Sequence, residues 1–419
     1  MSKPLSGVRV IDLSHVIAGP LASFYLAQMG AEVIKVEPPA SGEVMRSHKA
    51  QGGDTPTGFA ACNAGKHSVA LDIRTPEGAA LVRSLAASAD VFIENFRPGV
   101  VAKHGLDYAA IQAVKPDIVY CSISGYGQQG EWATRGAYDH VVQALTGMMM
   151  MSGEGQAAPP MKVGFPVIDV AVGMLGALSI VSSLHRRARD GLGQYIDASM
   201  VQASLMLMYP NASAFLSDGV EAPRTGNRGY TGSPAADTYQ CTDGWLAVAA
   251  NTPPQFRKLT AVLGIEGLCN DARALDLDAF NSPGGFVVPR DTGYVTAQLR
   301  VAFESHSAFK LEALLNSAGV PAARVRRLGE FLQEVDDTGC VELPDFRFDQ
   351  GTHTVRTRGL GFAFAHEGEA TRGGAETLGQ STELFLKDVG VAEDTMATLR
   401  EAKVIRTAAP RQASTLVDS

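Results

Sequence analysis

The chain has 419 residues, of which 45% are apolar and 19% charged, and its formal net charge is −8. Such a chain is longer than one hydrophobic core usually holds, so two domains are expected, and the composition is that of a folded globular protein. The acidic balance gives no support for nucleic-acid binding, although it leaves room for a local basic pocket. Strand and helix signals then alternate. Val8–Leu13 reads as a strand, Ala18–Gly30 as a helix stopped by Gly30, and Glu32–Glu37 as a second strand. Ser68–Ile73 is a third strand, followed by a helix over Thr75–Ser88, where Pro76 at the first helical position loses no needed N–H. Val91–Glu94 and Ile118–Ile123 complete the series. The alternation predicts an α/β fold with a doubly wound, mostly parallel Rossmann-like sheet.

The apolar stretch Val163–Val181 is interrupted by Pro166, Asp169, Gly173 and Gly176, which points to a buried helix rather than a membrane span. Residues 213–232 read as a linker. A new block follows, with a strand at Trp245–Ala250 and helices at Pro254–Leu263, Val295–Glu304 and Ala308–Ala318; Ala274–Asp291 reads as loop. A return segment from about Val325 carries a strand at Thr354–Arg358 and a helix near Ser381–Val389. The expected organisation is a large domain from residues 1–225 and 326–405, a smaller α+β domain from 226–325, and a disordered tail over 406–419. The start, MSKPLSGVRVIDLS, has no signal-peptide pattern. The five scattered cysteines form no CxxC pair, so no metal site is expected, and they suit a reducing, cytoplasmic location.

Several chemistries lack their motifs: GxSxG, HExxH and GxxxxGK[ST] are absent, and the first strand-to-helix connection, SHVIAGP, is not GxGxxG. Three local features remain. In Gly164–Asp169, Asp169 follows a rigid Gly-x-Pro turn, as either a carboxylate aimed into a cleft or a helix N-cap. Glu94-Asn95-Phe96-Arg97-Pro98-Gly99 follows a predicted strand, and ligands of open α/β sheets bind beyond the carboxyl ends of the strands. Asn95, Arg97 and Lys103 there suit phosphate or a pantetheine amide, or simply make a solvated turn. Arg135–Asp139 places Tyr138 and Asp139 at the start of another helix. Lys66 and His67 read as solvated turn residues.

Together and in this order, these features resemble the class III CoA-transferase family. Its members include formyl-CoA:oxalate, carnitine and succinate-type transferases and the 2-methylacyl-CoA racemases. The resemblance spans roughly residues 4–405. It rests on Gly7–Leu13, Ala18-Gly19-Pro20, Gly30–Pro38, Asn63 with Lys66, Leu71-Asp72, Glu94–Gly99, Gly164–Asp169, Gly193-Gln194 with Asp197, Gly226-Asn227-Arg228, Asp243-Gly244 and Ala318–Pro321. It implies that Asp169 is a nucleophile forming aspartyl anhydride and aspartyl-CoA thioester intermediates. Acyl-CoA and a free carboxylic acid would be the substrates, with no cofactor held permanently and no nucleic-acid or membrane partner. It implies CoA contacts at Val16, Ala18, Leu71, Asp72, Ile73, Arg74, Asn95, Phe96, Arg97, Lys103, Tyr138 and Asp139. It further implies an interlocked homodimer with its site between the domains.

Departures from the family pattern narrow the reading. Ile17 and Pro38 stand where the formyl-CoA:oxalate enzymes carry glutamine and arginine, and Ala249–Pro253 replaces their glycine-rich flap, which counts against oxalate or formate. Racemase activity is the main alternative. Those relatives use a histidine just before the aspartate matching Asp139, where this chain has Tyr138, a poor α-proton base near neutral pH. A non-catalytic CoA-binding protein is the second alternative.

Overall fold

A computed structural model describes residues 3–48, 55–155, 157–366 and 373–408. The chain forms two compact units. One comprises the described residues of Met1–Met148, Lys162–Val220 and Leu343–Ser419; the other comprises those of Met149–Met161 and Glu221–Glu342.

The first unit is built on a seven-stranded sheet. Six strands, β1 (Arg9–Asp12), β2 (Glu32–Glu37), β3 (His67–Leu71), β4 (Val91–Glu94), β5 (Val119–Ser124) and β6 (Gln194–Ser199), run parallel in the order 3-2-1-4-5-6. That order belongs to doubly wound sheets, with a crevice where the winding reverses, between β1 and β4. The short strand Ile405–Arg406 adds antiparallel to β3, with Ile405 opposite Leu71. Arg406, expected to begin a disordered tail, is therefore paired in the sheet; residues 409–419 lie outside the described residues.

The parallel strands read as apolar runs because both faces are covered. On one face, Ile11, Ile34, Val69, Phe92 and Tyr120 pack against residues such as Val82 and Leu85 of the helix Pro76–Ala87 and Leu386, Met396 and Leu399 of the return segment. On the other lie the helices Ala18–Gln28 and Val167–Asp190. The second of these is long and apolar enough to cross a membrane, with a mean hydropathy of 2.0. Here it buries Ile168, Ala171, Val172, Gly173, Gly176, Ala177, Ile180 and Leu184 inside this unit, as expected of a core helix.

The glycines of that face allow close approach. A Cβ added at Gly173 would lie 2.8 Å from the carbonyl oxygen of Ala18, and one at Gly176 would lie 3.3 Å from Ile123 Cδ1. A hairpin, Phe346–Gln350 with His353–Thr357, lays Phe348 and Val355 against Ala60 and Ala64.

The second unit carries an antiparallel sheet of β7 (Ala236–Cys241), β8 (Gly244–Ala249) and β9 (Ala322–Arg324). Its core joins this sheet to the helices Pro253–Leu263, Thr292–Glu304 and Ala308–Ser317, with Tyr239 stacked on Phe303 at 4.2 Å between ring centroids.

The stretch 213–232, expected as a linker, begins inside the helix Tyr209–Asp218, and the return segment from about Val325 opens with a helix, Leu328–Thr338. The first is too short of apolar periodicity to announce itself, whereas the second carries Leu328, Phe331, Leu332 and Val335 at helical spacing. The expected loop at Ala274–Asp291 likewise holds a short helix, Leu277–Asn281.

Candidate active site

All six parallel strands end on the same edge of the sheet, and the loops that follow them form two adjoining cavities. The first, of about 640 Å³, is walled by Leu71–Arg74 after β3, Glu37–Val44 after β2, and His104. The second, of about 510 Å³, is walled by His15–Ala18 after β1, Asn95–Pro98 after β4, Arg135, Tyr138 and Asp169. His15, Val44, Phe96 and Val100 line both. Of the residues expected at the site, Val16, Ala18, Asn95, Phe96, Arg97, Tyr138 and Asp169 meet in the second cavity and Leu71, Asp72, Ile73 and Arg74 in the first. Lys103, exposed on the 3₁₀ turn Val101–His104, lines neither, and Asp139 is buried behind the wall.

Asp169 is the third residue of the helix Val167–Asp190, and it is not the cap. Pro166 holds the N-cap position without a side-chain bond, and the capping acceptor comes from elsewhere: Asp139 Oδ2 accepts from the backbone N–H of Ile168 at 2.7 Å and of Asp169 at 3.1 Å. Asp139 Oδ1 accepts from Gln143 Nε2 at 2.5 Å. The Asp139 carboxylate is thus occupied in holding the helix start. Asp169 is half-buried, and among the described residues no hydrogen bond or ion pair reaches its carboxylate. Burial, and then the nearby Asp139 charge, push its carboxyl up to about 6. The positive end of the helix works in the opposite direction, favouring the anion.

The opposite wall is fixed by backbone-directed side chains. The Asn95 amide bonds twice to His15, accepting from its N–H at 2.9 Å and donating to its carbonyl at 2.8 Å. Asn95 therefore joins the loops after β1 and β4, and its side chain is spent on that task. Glu94, buried at the end of β4, accepts from the Phe96 N–H at 2.8 Å; burial raises its carboxyl to about 7. Arg74 is exposed and doubly bonded to Asp72, at 2.8 Å for each contact. Arg97 and Arg135 line the Asp169 cavity, and no acidic side chain pairs with either among the described residues; Arg135 lies over the Trp132 ring at 4.2 Å.

Two sequence expectations are corrected. Lys66 is buried against Asp12 at 3.2 Å, and His67 begins β3 and bonds Glu376 at 3.0 Å, so neither is a solvated turn residue. Their partners lie 54 and 309 positions away in the chain, beyond the reach of any local reading.

Comparison with known proteins places the chain. A succinate–glutarate CoA-transferase from Agrobacterium fabrum is 39% identical over 277 residues, which is 64% of this chain and 69% of that protein. A succinyl-CoA–D-citramalate CoA-transferase from Chloroflexus aurantiacus is 31% identical over 420 residues, covering 96% of this chain and 98% of that protein. Among solved structures, a CAIB/BAIF family protein from Brucella suis superposes with a TM-score of 0.79 at 30% identity, covering 93% of this chain and 100% of that one. The model of CoA-transferase family III matches residues 5–382, and the chain belongs to that family.

Proposed function

We propose that the protein transfers coenzyme A from an acyl-CoA to a free carboxylic acid, with Asp169 as the nucleophile. The observation that carries this reading is the Asp169 carboxylate, half-buried, without a partner among the described residues, and facing a cavity in the crevice of a doubly wound sheet. The paired cavities suit a long ligand with a nucleotide at one end and a thioester at the other, lying in the second cavity beside Asp169.

In the first step an Asp169 oxygen attacks the thioester carbonyl carbon, the C–S bond breaks, and CoA leaves as a thiolate, giving an aspartyl–acyl anhydride. The thiolate attacks the aspartyl carbonyl, releasing the donor acid and leaving an aspartyl-CoA thioester. The acceptor carboxylate attacks that carbonyl and expels the thiolate. The thiolate then attacks the acceptor's acyl carbon, forming the new acyl-CoA and restoring Asp169. A carboxyl near 6 is mostly ionised at neutral pH, yet more basic than an ordinary aspartate, which favours attack.

The acids named in the relatives, succinate, glutarate and citramalate, carry two carboxylates. Arg97 and Arg135 would supply positive charge for the second one, which supports a dicarboxylic acid as substrate. We also propose a homodimer, supported by the exposed apolar side chains of Met206, Leu207, Tyr209, Phe215 and Leu216; sedimentation of the purified protein tests it.

The test of the mechanism is intact-protein mass spectrometry after mixing with acyl-CoA donors, with hydroxylamine as trap. A CoA adduct on the wild type, absent from Asp169→Asn and mapped to Asp169 as the hydroxamate, is expected. Transfer that proceeds in Asp169→Asn would refute the reading.

A further inference from the structure

Beneath the segment 14–20 lies a buried ionic cluster that the mechanism above does not use. Asp12, at the end of β1, is fully buried. Lys66 Nζ lies 3.2 Å from Asp12 Oδ2, and Lys35 Nζ of β2 lies 4.0 Å from the same oxygen; both lysines are buried. Two cations face one carboxylate, so the remaining ammonium protons must find other acceptors. Lys35 donates to the Ser14 carbonyl at 2.8 Å. Lys66 donates to the Pro20 carbonyl at 2.8 Å and to Asn63 Oδ1 at 2.9 Å. The Asp12 carboxylate accepts from the Ser14 N–H at 2.8 Å, from the Ser14 hydroxyl, and from the Ser23 hydroxyl at 2.5 Å. Although burial opposes its ionisation, Lys35 and Lys66 hold the Asp12 carboxyl down to about 2.

The cluster therefore grips both ends of the segment Ser14–Pro20. Between those ends Val16 sits at φ +68°, a left-handed backbone that a β-branched residue adopts only when its surroundings impose it. Its N–H is tied to Glu43 Oε1 at 2.9 Å, and Val16, Ile17 and Ala18 face the cavity that holds Asp169. Buried ion pairs are weak stabilisers, often replaceable by apolar residues without loss, so stability alone does not account for this one.

We propose that the buried Asp12–Lys66 pair, with Lys35, is a positioning device that keeps residues 14–20 in the strained shape forming one wall of the acyl-CoA cleft. The proposal rests on the reading of that cleft given above. Lys66 touches no substrate; it acts through the Pro20 carbonyl and Asp12. Hydrogen-bond counting says how the device fails. Asp12, Pro20 and Asn63 use the three N–H groups of the ammonium, whereas a neutral amine has only two, so deprotonation leaves one buried acceptor without a donor.

The charged and titratable groups facing Lys66 are Asp12 on β1, Lys35 on β2 and Cys62 on the helix Thr57–Asn63. Burial, opposed by Asp12 and reinforced by Lys35, brings Lys66 down to about 8, whereas burial raises the Cys62 thiol. The linkage has a definite sign. A lysine whose folded value lies below its ordinary 10.5 is deprotonated more readily in the native protein. Stability therefore does not fall as pH rises through 8; the grip on the loop does. Fold and function respond to the same proton in opposite directions.

The test uses acetyl-CoA as probe, which has no free thiol. Binding is measured by calorimetry for the wild type from pH 7 to 9, and for Lys66→Met over the same range, with melting temperatures recorded throughout. The wild type should lose about tenfold in affinity across the range, equivalent to about 1.4 kcal/mol, while its melting temperature holds or rises. Lys66→Met should bind about tenfold more weakly at pH 7 and show no pH dependence. A folded Lys66→Met protein that binds as the wild type does at pH 7 overturns the proposal, and so does a flat wild-type profile. If Lys66→Met does not fold, the wild-type series decides alone. A wild type that binds no acetyl-CoA at any pH defeats the reading of the cleft itself, and the proposal with it.

Discussion

Gly173 and Gly176 lie one turn apart on the buried face of the same helix, yet alanine should affect them differently. At Gly173 the new Cβ would meet the Ala18 carbonyl oxygen at 2.8 Å and Leu21 Cβ at 3.2 Å, where ordinary contact begins at 3.4 Å. The first neighbour is backbone and cannot swing aside, so the helices Val167–Asp190 and Ala18–Gln28 must part by about 0.6 Å. At Gly176 the nearest atoms are Ile123 Cδ1 at 3.3 Å and Ala22 Cβ at 3.5 Å, the first of them a flexible side-chain end. Glycine to alanine in a helix gains about 1 kcal/mol, while overpacking costs about 1–3 kcal/mol. Gly173→Ala should therefore lose up to about 2 kcal/mol net, and Gly176→Ala should be neutral or slightly stabilising. The functional difference should be larger. Asp169 stands one turn before Gly173, and Asp169 and Ala18 line the same cavity, so the forced separation would displace the proposed nucleophile. Misplacement by about 1 Å can cost a hundredfold, so Gly173→Ala should lose about tenfold or more in turnover. Melting curves and steady-state transfer rates for the two variants check this. Equal turnover in both would refute the idea that this helix contact sets the position of Asp169.

Other predictions follow from the charges. Because burial raises the Asp169 carboxyl to about 6 from an ordinary value of 3.8, the fold carries the cost of the anion above pH 6. Asp169→Asn should accordingly melt at a higher temperature than the wild type at pH 7, with the difference shrinking towards pH 4, while transfer is abolished. Wild-type kcat/KM should fall as pH drops through about 6, measured with a donor that does not titrate there. Asp72 occupies both faces of the Arg74 fork, so Asp72→Asn should free that guanidinium and lower the KM for acyl-CoA; an unchanged KM would place the phosphates elsewhere. The His67 imidazole is raised above 6.5 by its bond to Glu376, so the pair stabilises the fold fully below that pH and the gain disappears as pH rises through the folded value. The melting-temperature gap between the wild type and His67→Gln should close over the same interval.

β1 to β5 were legible in the sequence because each is mostly apolar and bounded by turn residues, although Lys35 interrupts β2 and Ser122 interrupts β5. β6 escaped because Gln194–Ser199 is only partly buried and mixes polar with apolar residues. The helix Leu328–Thr338 was legible in the spacing of Leu328, Phe331, Leu332 and Val335, a signal that the expectation of a return segment left unused. At the site, the segments Glu94–Gly99 and Gly164–Asp169 were visible as motifs, but the division of labour within them was not. Asp169 had the local character of a cap, and only the fold brings Asp139 from 30 residues away to take that role. Asn95 offered an amide that could have met a ligand; the structure commits it to His15. Lys66 looked solvated because nothing in its own neighbourhood reveals Asp12.

The strand Ile405–Arg406 has a consequence for how the protein is made. It pairs with Ala70 and Leu71 on the outer edge of β3, in a sheet whose first strand begins at Arg9. During synthesis β1 to β6 emerge early, and the edge of β3 then waits for the last pairing partner while the rest of the chain is added. At ~5–20 residues per second that wait is on the order of tens of seconds. Throughout it, the nascent chain presents an open row of backbone donors and acceptors along His67–Leu71, the kind of edge on which other chains pair. The antiparallel strand acts late, as a seal on a sheet already assembled, and a chain cut short before Ile405 would carry that part of the β3 edge uncovered.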